Sequence, residues 1–139
     1  MASDFIDEVT KICKRPPIHT VEEAEPYGPN RLDYLIISPC TGNTLAKIAN
    51  GITDSAVTMI AKAHLRSDGP LLIALASNDS MSQNLGNIAT LLARKSVYFL
   101  PMIQDSPREK PHSLVADFTK MPLGIEAMLT NRQLRPLFI

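Results

Sequence analysis

Three short runs of mostly apolar residues divide the chain, and glycine, proline or polar residues bound each of them. They cover residues 33–38, 71–76 and 96–100. The middle run, LLIALA, contains no polar position, and strands that are apolar on both faces are typical of a parallel sheet covered by helices on both sides. The pattern therefore predicts three or four short parallel strands.

Between these runs, apolar residues recur at the spacing of amphipathic helices. A first helix is predicted from Asp4, which can cap it, to the Pro16-Pro17 pair. Later helices are predicted over residues 44–51, from 54 to the Gly69-Pro70 pair, over about 81–95, and over 114–118 and 124–129. The polar segment 102–112 reads as a loop, either a lid or an interface arm, and the apolar C-terminus LRPLFI should pack against the domain or another protein chain. Alternating strands and helices predict an α/β fold with a doubly wound parallel sheet.

Composition narrows the class of protein. A length of 139 residues fits one domain. The 14 basic and 14 acidic residues balance, so the chain has no excess positive charge that would favour binding to nucleic acid or an anionic membrane. No apolar run approaches the ~20 residues of a membrane helix, and the acidic N-terminus does not resemble a signal peptide. Two cysteines in different contexts do not suggest a disulfide framework, so we expect a cytoplasmic protein.

The first candidate site is the turn where the first strand runs into a helix. Backbone N–H groups and the positive end of a helix dipole meet at such a point and favour polar or anionic ligands. Asn43 can contact a ligand or cap the helix, and Gly42 can bring its backbone close to a ligand or be required for a positive φ. Thr41 and Thr44 offer hydroxyls to a phosphate or carboxylate, or can cap the helix. Cys40 is either a thiolate stabilised by the helix or a small packed residue. The candidate residues of this turn are Ser38, Pro39, Cys40, Thr41, Gly42, Asn43 and Thr44.

The second candidate turn follows the middle strand and contains Ser77, Asn78 and Met81. Because the carboxyl ends of parallel strands share one edge of the sheet, Asn43 and Asn78 should face one crevice and favour a planar polar ligand. Asp54 is expected to cap the next helix. The histidines and cysteines are not spaced as metal ligands, so no metal site is predicted, and no phosphate-binding loop or nucleophile elbow occurs.

Both turns resemble motifs of the flavoprotein family. The segment PCTGNT (39–44), with AKIA, Gly51 and Asp54 after it, is similar to the family's P-A-S-A-N-T segment, and Asn78 with Met81 is similar to its P-A-M-N-x-x-M segment. Four further blocks resemble the subfamily formed by the B subunits of dipicolinate synthase: EAEPYGP (23–29), SND (77–79), QDSP (104–107) and KPHS (110–113).

This resemblance implies a three-layer, Rossmann-like (flavodoxin-like) doubly wound sheet that binds FMN through the two turns, with Asp54 bracing the first turn from behind. The strand, glycine-rich turn, helix and second strand that open the family fold have no counterpart here. The chain therefore resembles the carboxyl two thirds of the family fold, shortened at its N-terminus, as one domain over residues 1–139.

The resemblance also implies an oxidoreductase subunit that forms dipicolinate from a dihydrodipicolinate-pathway intermediate during sporulation, in the mother-cell cytoplasm of a spore-forming bacterium. Its implied partners are the A subunit of dipicolinate synthase, further copies of the chain and a small dicarboxylate substrate, with NAD(P)H possible for the holoenzyme. Arg94, Lys95, Arg108 and Lys110 are candidates to bind the carboxylates, and no catalytic residue is assigned. The alternatives are a non-catalytic scaffold subunit with an incomplete flavin site, and a flavin prenyltransferase or cysteine decarboxylase.

Overall fold

The structure is a computed structural model that describes residues 1–139. Its helices and strands alternate through the middle of the chain, and short strands and a last helix follow. In chain order they are α1 (Ala2–Cys13), α2 (Val21–Ala24), β1 (Leu35–Cys40), α3 (Gly42–Asn50), α4 (Ala56–Arg66), β2 (Leu71–Ser77), α5 (Leu85–Leu92), β3 (Val97–Phe99), β4 (Met102–Ile103), β5 (Leu114–Ala116) and α6 (Met121–Leu129).

The sheet confirms the predicted α/β fold. Strands β1, β2 and β3 are parallel, with β2 in the centre, and Ile37, Ile73 and Phe99 lie side by side across them. An antiparallel extension, which the sequence did not predict, pairs β5 with the carboxyl end of β2 and β4 with β5. The predicted helix over residues 114–118 is therefore wrong. Burial there alternates with period two, as in a strand.

Helices cover both faces of the sheet because the central strand is apolar on both sides. Leu71, Ile73 and Leu75 point into a core shared with α3, α4 and α5. Leu72 and Ala74 point the other way and pack with residues of α6. This arrangement gives the three layers that the resemblance implied.

The C-terminus adds to the sheet, and Leu137 packs against the core as the apolar character of this segment predicted. The Met102 amide donates to the Leu137 carbonyl at 2.8 Å, and the Ile139 amide donates to the Met102 carbonyl at 2.9 Å. The side chain of Gln133 substitutes for a further strand beside β3. It accepts from the Phe99 N–H at 2.8 Å and donates to the Phe99 carbonyl at 2.6 Å.

The first helix forms over nearly the predicted range, but its apolar face has no partner in the chain. None of its residues is buried, and Phe5 and Ile12 are 71% and 72% exposed. No helix of the structure has both the length and the apolar character needed to span a membrane.

Candidate functional site

The two candidate turns lie side by side. Strands β1 and β2 are adjacent and parallel, and Cys40 at the end of β1 pairs in register with Leu75 near the end of β2. The turns that follow them therefore leave the sheet at the same edge. The structure thus brings together residues 38–44 and 77–81, as the sequence predicted for two neighbouring strand ends.

A β-bulge shapes the end of β1. The register shifts between Ile37 and Cys40, which leaves Ser38 and Pro39 exposed, and the peptide bond that joins these two residues is cis. Bulges of this kind re-aim side chains and are frequent next to active sites. The sequence predicted a strand ending at Ser38, whereas β1 continues through Pro39 to Cys40.

Thr41 caps helix α3. Its hydroxyl oxygen accepts from the Thr44 N–H at 3.2 Å, and its hydroxyl also donates to the Thr44 hydroxyl at 3.1 Å. The capping role considered for Asn43 is therefore wrong. Asn43 is exposed in the first turn of α3, and its amide has no hydrogen-bond partner within the chain. Its donor and acceptor groups are free for a ligand.

The second turn is held by a hydrogen-bond network centred on Asp79. Its carboxylate accepts from the Ser77 hydroxyl and from the Asn84 amide, the latter at 2.9 Å. Asn84 is buried and in turn accepts from the Asn87 amide at 2.9 Å. The Ser77 hydroxyl, and then the Asn84 amide, lower the pKa of Asp79 because both stabilise its charged form. Asn78 takes no part and is exposed, with its amide free of partners in the chain.

Sequence reasoning missed Asp79 and Asn84 as site residues. The predicted helix from about residue 81 begins only at Leu85, because the preceding residues form the turns that hold this network. Asn84 immediately before the apolar run of α5 was the available signal, since asparagine favours the position before a helix.

Gly42 is a glycine because the two turns touch there. A Cβ on this residue would lie 2.7 Å from Asn84 Nδ2 and 2.8 Å from Asp79 Oδ1, and it would also clash with Ser77 Oγ. Gly51 is the only glycine with a positive φ, so the alternative that Gly42 is required for a positive φ is wrong. The absence of a side chain lets α3 start directly against the network.

Cys40 is a packed core residue. Its side chain is fully buried in the core beneath α3, and burial raises the pKa of its thiol to about 12 because a thiolate there would be desolvated. The thiol donates to the Thr41 carbonyl at 3.5 Å. Of the two roles that the sequence left open, the structure supports packing over thiolate chemistry.

Asp54 and Met81 are placed differently from the other candidates. Asp54 follows the far end of α3 and forms an ion pair with Lys47 at 3.0 Å, while Ser55 caps α4, so the predicted cap at Asp54 is wrong. Met81 packs partly against the core, and its N–H donates to the His112 carbonyl at 2.9 Å. This bond ties the long loop between β4 and β5 to the second turn.

That loop is also closed on itself. The hydroxyl of the buried Ser113 donates to Asp105 at 2.7 Å and is the main reason that the pKa of Asp105 lies below its ordinary value. Of the basic residues considered for the carboxylates, Arg108 and Lys110 belong to this loop. Arg94 and Lys95 instead precede the amino end of β3, at the opposite edge of the sheet.

Comparison with known proteins identifies relatives of this chain. Residues 3–122 match the Flavoprotein family. The dipicolinate synthase B subunit of Bacillus subtilis (strain 168) is 36% identical over 138 residues, which are 99% of this chain and 69% of that protein. The crystal structure of the dipicolinate synthase B subunit from Bacillus halodurans C superposes with a TM-score of 0.93 at 42% identity, over 98% of this chain and 70% of that one. The FMN binding protein AtHal3 superposes with a TM-score of 0.50 at 28% identity, over 67% of this chain and 50% of that one.

Proposed function

The chain belongs to the flavoprotein family, and from this premise we propose that it is the flavin-nucleotide-binding subunit of a dipicolinate synthase, with FMN as its cofactor. The observation that carries the proposal is the pair of exposed amides, Asn43 and Asn78, at the ends of adjacent parallel strands. Neither amide has a partner in the chain. The identity to the B subunit of dipicolinate synthase extends over almost the whole chain and favours this member of the family over the prenyltransferases and decarboxylases.

The residues of the two turns fit a flavin. A planar heterocycle presents donors and acceptors along its edge, and an amide can satisfy both kinds. The missing side chain at Gly42 lets the turns meet, and the network around Asp79 fixes the strand end that carries Asn78. We assign flavin contacts to Ser38, Pro39, Thr41, Asn43, Thr44, Ser77 and Asn78. Cys40 and Gly42 support the turn from within, Met81 supports the second turn, and Asp54 braces α3 through Lys47.

A bound flavin supplies the two-electron redox chemistry of an oxidoreductase, and the protein binds, orients and shields the reactants. We assign the substrate to the small dicarboxylates, because a relative named for dipicolinate synthesis matches along the whole chain. The A subunit of dipicolinate synthase is the proposed partner, and NAD(P)H is the proposed reductant or acceptor of the assembled enzyme. A role in sporulation, in the mother-cell cytoplasm, follows from this activity.

The test is FMN binding by matched asparagine variants. Titration with FMN, followed by quenching of flavin fluorescence, should saturate with the unmodified chain. Asn43→Ala should weaken binding about tenfold, since one lost hydrogen bond is worth roughly 1–1.5 kcal/mol. Asn30→Ala, at an exposed position before the amino end of β1, should leave the affinity unchanged. Absence of FMN uptake, or equal losses for both variants, would remove the proposal.

Exposed apolar side chains favour a second candidate, a scaffold subunit that assembles the enzyme without holding flavin. Phe5 and Ile12 on α1, and Phe138 and Ile139 at the C-terminus, are each more than half exposed. Residues of this kind commonly become buried in protein contacts, and we propose that the chain forms homo-oligomers. Size-exclusion chromatography with and without FMN separates the candidates, because only the scaffold forms a stable oligomer that takes up no flavin.

A further inference from the structure

A concave surface lies away from the two turns. It is a cleft of about 320 Å³ between the end of α3, the exposed side of α4 and the residues after α5. We call it the basic cleft. The lining residues used below are Ile48, Ile52, Lys62, Leu65, Arg66 and Arg94.

The cleft has three cationic side chains and no carboxylate in its lining. Lys62 and Arg66 are four residues apart on α4 and therefore lie on one face of it, and Arg94 belongs to the residues after α5. No acidic side chain of the chain lies within ion-pair distance of any of them, since the only side-chain ion pair is the one between Lys47 and Asp54.

Helix ends account for only part of this charge. A cation in the last turn of a helix offsets the negative end of the helix dipole, which explains Arg66. Arg94 donates to the Leu65 carbonyl at 3.4 Å and so helps to close the same end of α4. Lys62 lies in the middle of α4, where the dipole gives no reason for it. It lines the same cleft as the two arginines.

The cleft is separate from the candidate flavin site. Its residues precede the amino ends of β2 and β3, whereas the two turns follow the carboxyl ends of β1 and β2. The seven residues of β2 span ~20 Å at about 3.3 Å per residue, so one small ligand cannot occupy both places.

We propose that the basic cleft binds a small organic anion with an apolar body. The anionic group contacts Lys62, Arg66 and Arg94, and the body lies on the apolar wall formed by Ile48, Ile52 and Leu65. A carboxylate and a phosphate monoester share this chemistry, and arginine binds either through two parallel hydrogen bonds. The proposal does not depend on flavin binding.

The test is a titration of the isotope-labelled full chain, followed by amide chemical shifts. Benzoate and phenyl phosphate share the same aromatic ring and differ in the anionic group. The tighter ligand therefore shows whether the cleft prefers a carboxylate or a phosphate monoester. Acetate and inorganic phosphate lack the body. We expect one of the two aromatic anions to cause saturable shifts in segments 48–53 and 62–66, with an affinity of about millimolar. The matching anion without the ring, acetate or inorganic phosphate, should bind at least fivefold more weakly.

Charge variants complete the test. Arg66→Gln and Lys62→Gln should each weaken binding at least fivefold, while Lys95→Gln, next to Arg94 but outside the cleft, should change it less than twofold. Both cleft residues are exposed, so their variants should keep the amide spectrum of the folded chain. Shifts confined to other segments, no saturation, or an equal loss with Lys95→Gln would each overturn the proposal.

Discussion

Replacing Gly42 by alanine tests the closeness of the two turns directly. The new methyl group would lie 2.7 Å from Asn84 Nδ2 and 2.8 Å from Asp79 Oδ1. Ordinary contacts of a carbon atom begin near 3.5 Å, and the contact with Ser77 Oγ is closer still, so α3 or these side chains must move by about 1 Å. Overpacking of this kind costs about 1–3 kcal/mol. Displacing the buried Asn84 from its bond to Asp79 adds about 1 kcal/mol, which gives a total of about 2–4 kcal/mol.

Urea unfolding measures this loss, and Gly86→Ala is the matched control. A Cβ at Gly86 meets nothing within 4 Å, and the residue lies in the first turn of α5, where alanine is favoured over glycine by part of the ~1 kcal/mol of a helix interior. The control should therefore unfold at the same or a higher urea concentration. If Gly42→Ala retains the stability of Gly86→Ala, the packing reason for the glycine is wrong. Weakened FMN binding by Gly42→Ala would further link the network to the proposed site.

Three further outcomes are expected. The pKa of Asp79 is lowered from 3.8, so its stabilisation is present above that pH and is lost as the pH falls through the native pKa. Asp79→Asn should therefore destabilise the chain at pH 7, and thermal unfolding should show this loss shrinking as the pH falls below 3.8. A thiol reagent at pH 8 should modify the exposed Cys13 but not Cys40, and modification of both in the folded chain would contradict the burial of Cys40. Gln133→Ala should cost about 1–3 kcal/mol in urea because two peptide groups of Phe99 lose their partner, and an unchanged midpoint would contradict this.

The parallel part of the fold was predictable because its signals are local. The run from Leu71 to Ala76 is apolar on both faces, and its break at Gly69-Pro70 fixes its start within one residue. The helices before and after it follow from apolar residues at helical spacing. The antiparallel strands β4 and β5 were not predictable, since two or three residues do not establish a period and their pairing joins segments far apart in sequence.

The candidate site was predictable in position but not in detail. Two polar turns at the ends of neighbouring parallel strands indicate a shared edge before any coordinates exist. The β-bulge at Ser38 and Pro39 depends on how β1 pairs with β2, and the sequence of one strand does not contain that information. The choice between Thr41 and Asn43 as the cap of α3 was likewise undetermined, because both residue types cap helices well.

The strongest argument for a ligand at the two turns is that residues other than Asn43 and Asn78 hold these turns in place. Thr41 caps α3, and the Asp79 carboxylate holds the second turn by accepting from Ser77 and Asn84. Asn43 and Asn78 could each have served as a cap or a turn residue, yet neither amide bonds to the chain. A polar side chain at a strand end is ordinary when it holds its own turn. Two amides whose turns are already held by their neighbours have no such use, which supports the proposal that they contact a planar polar ligand.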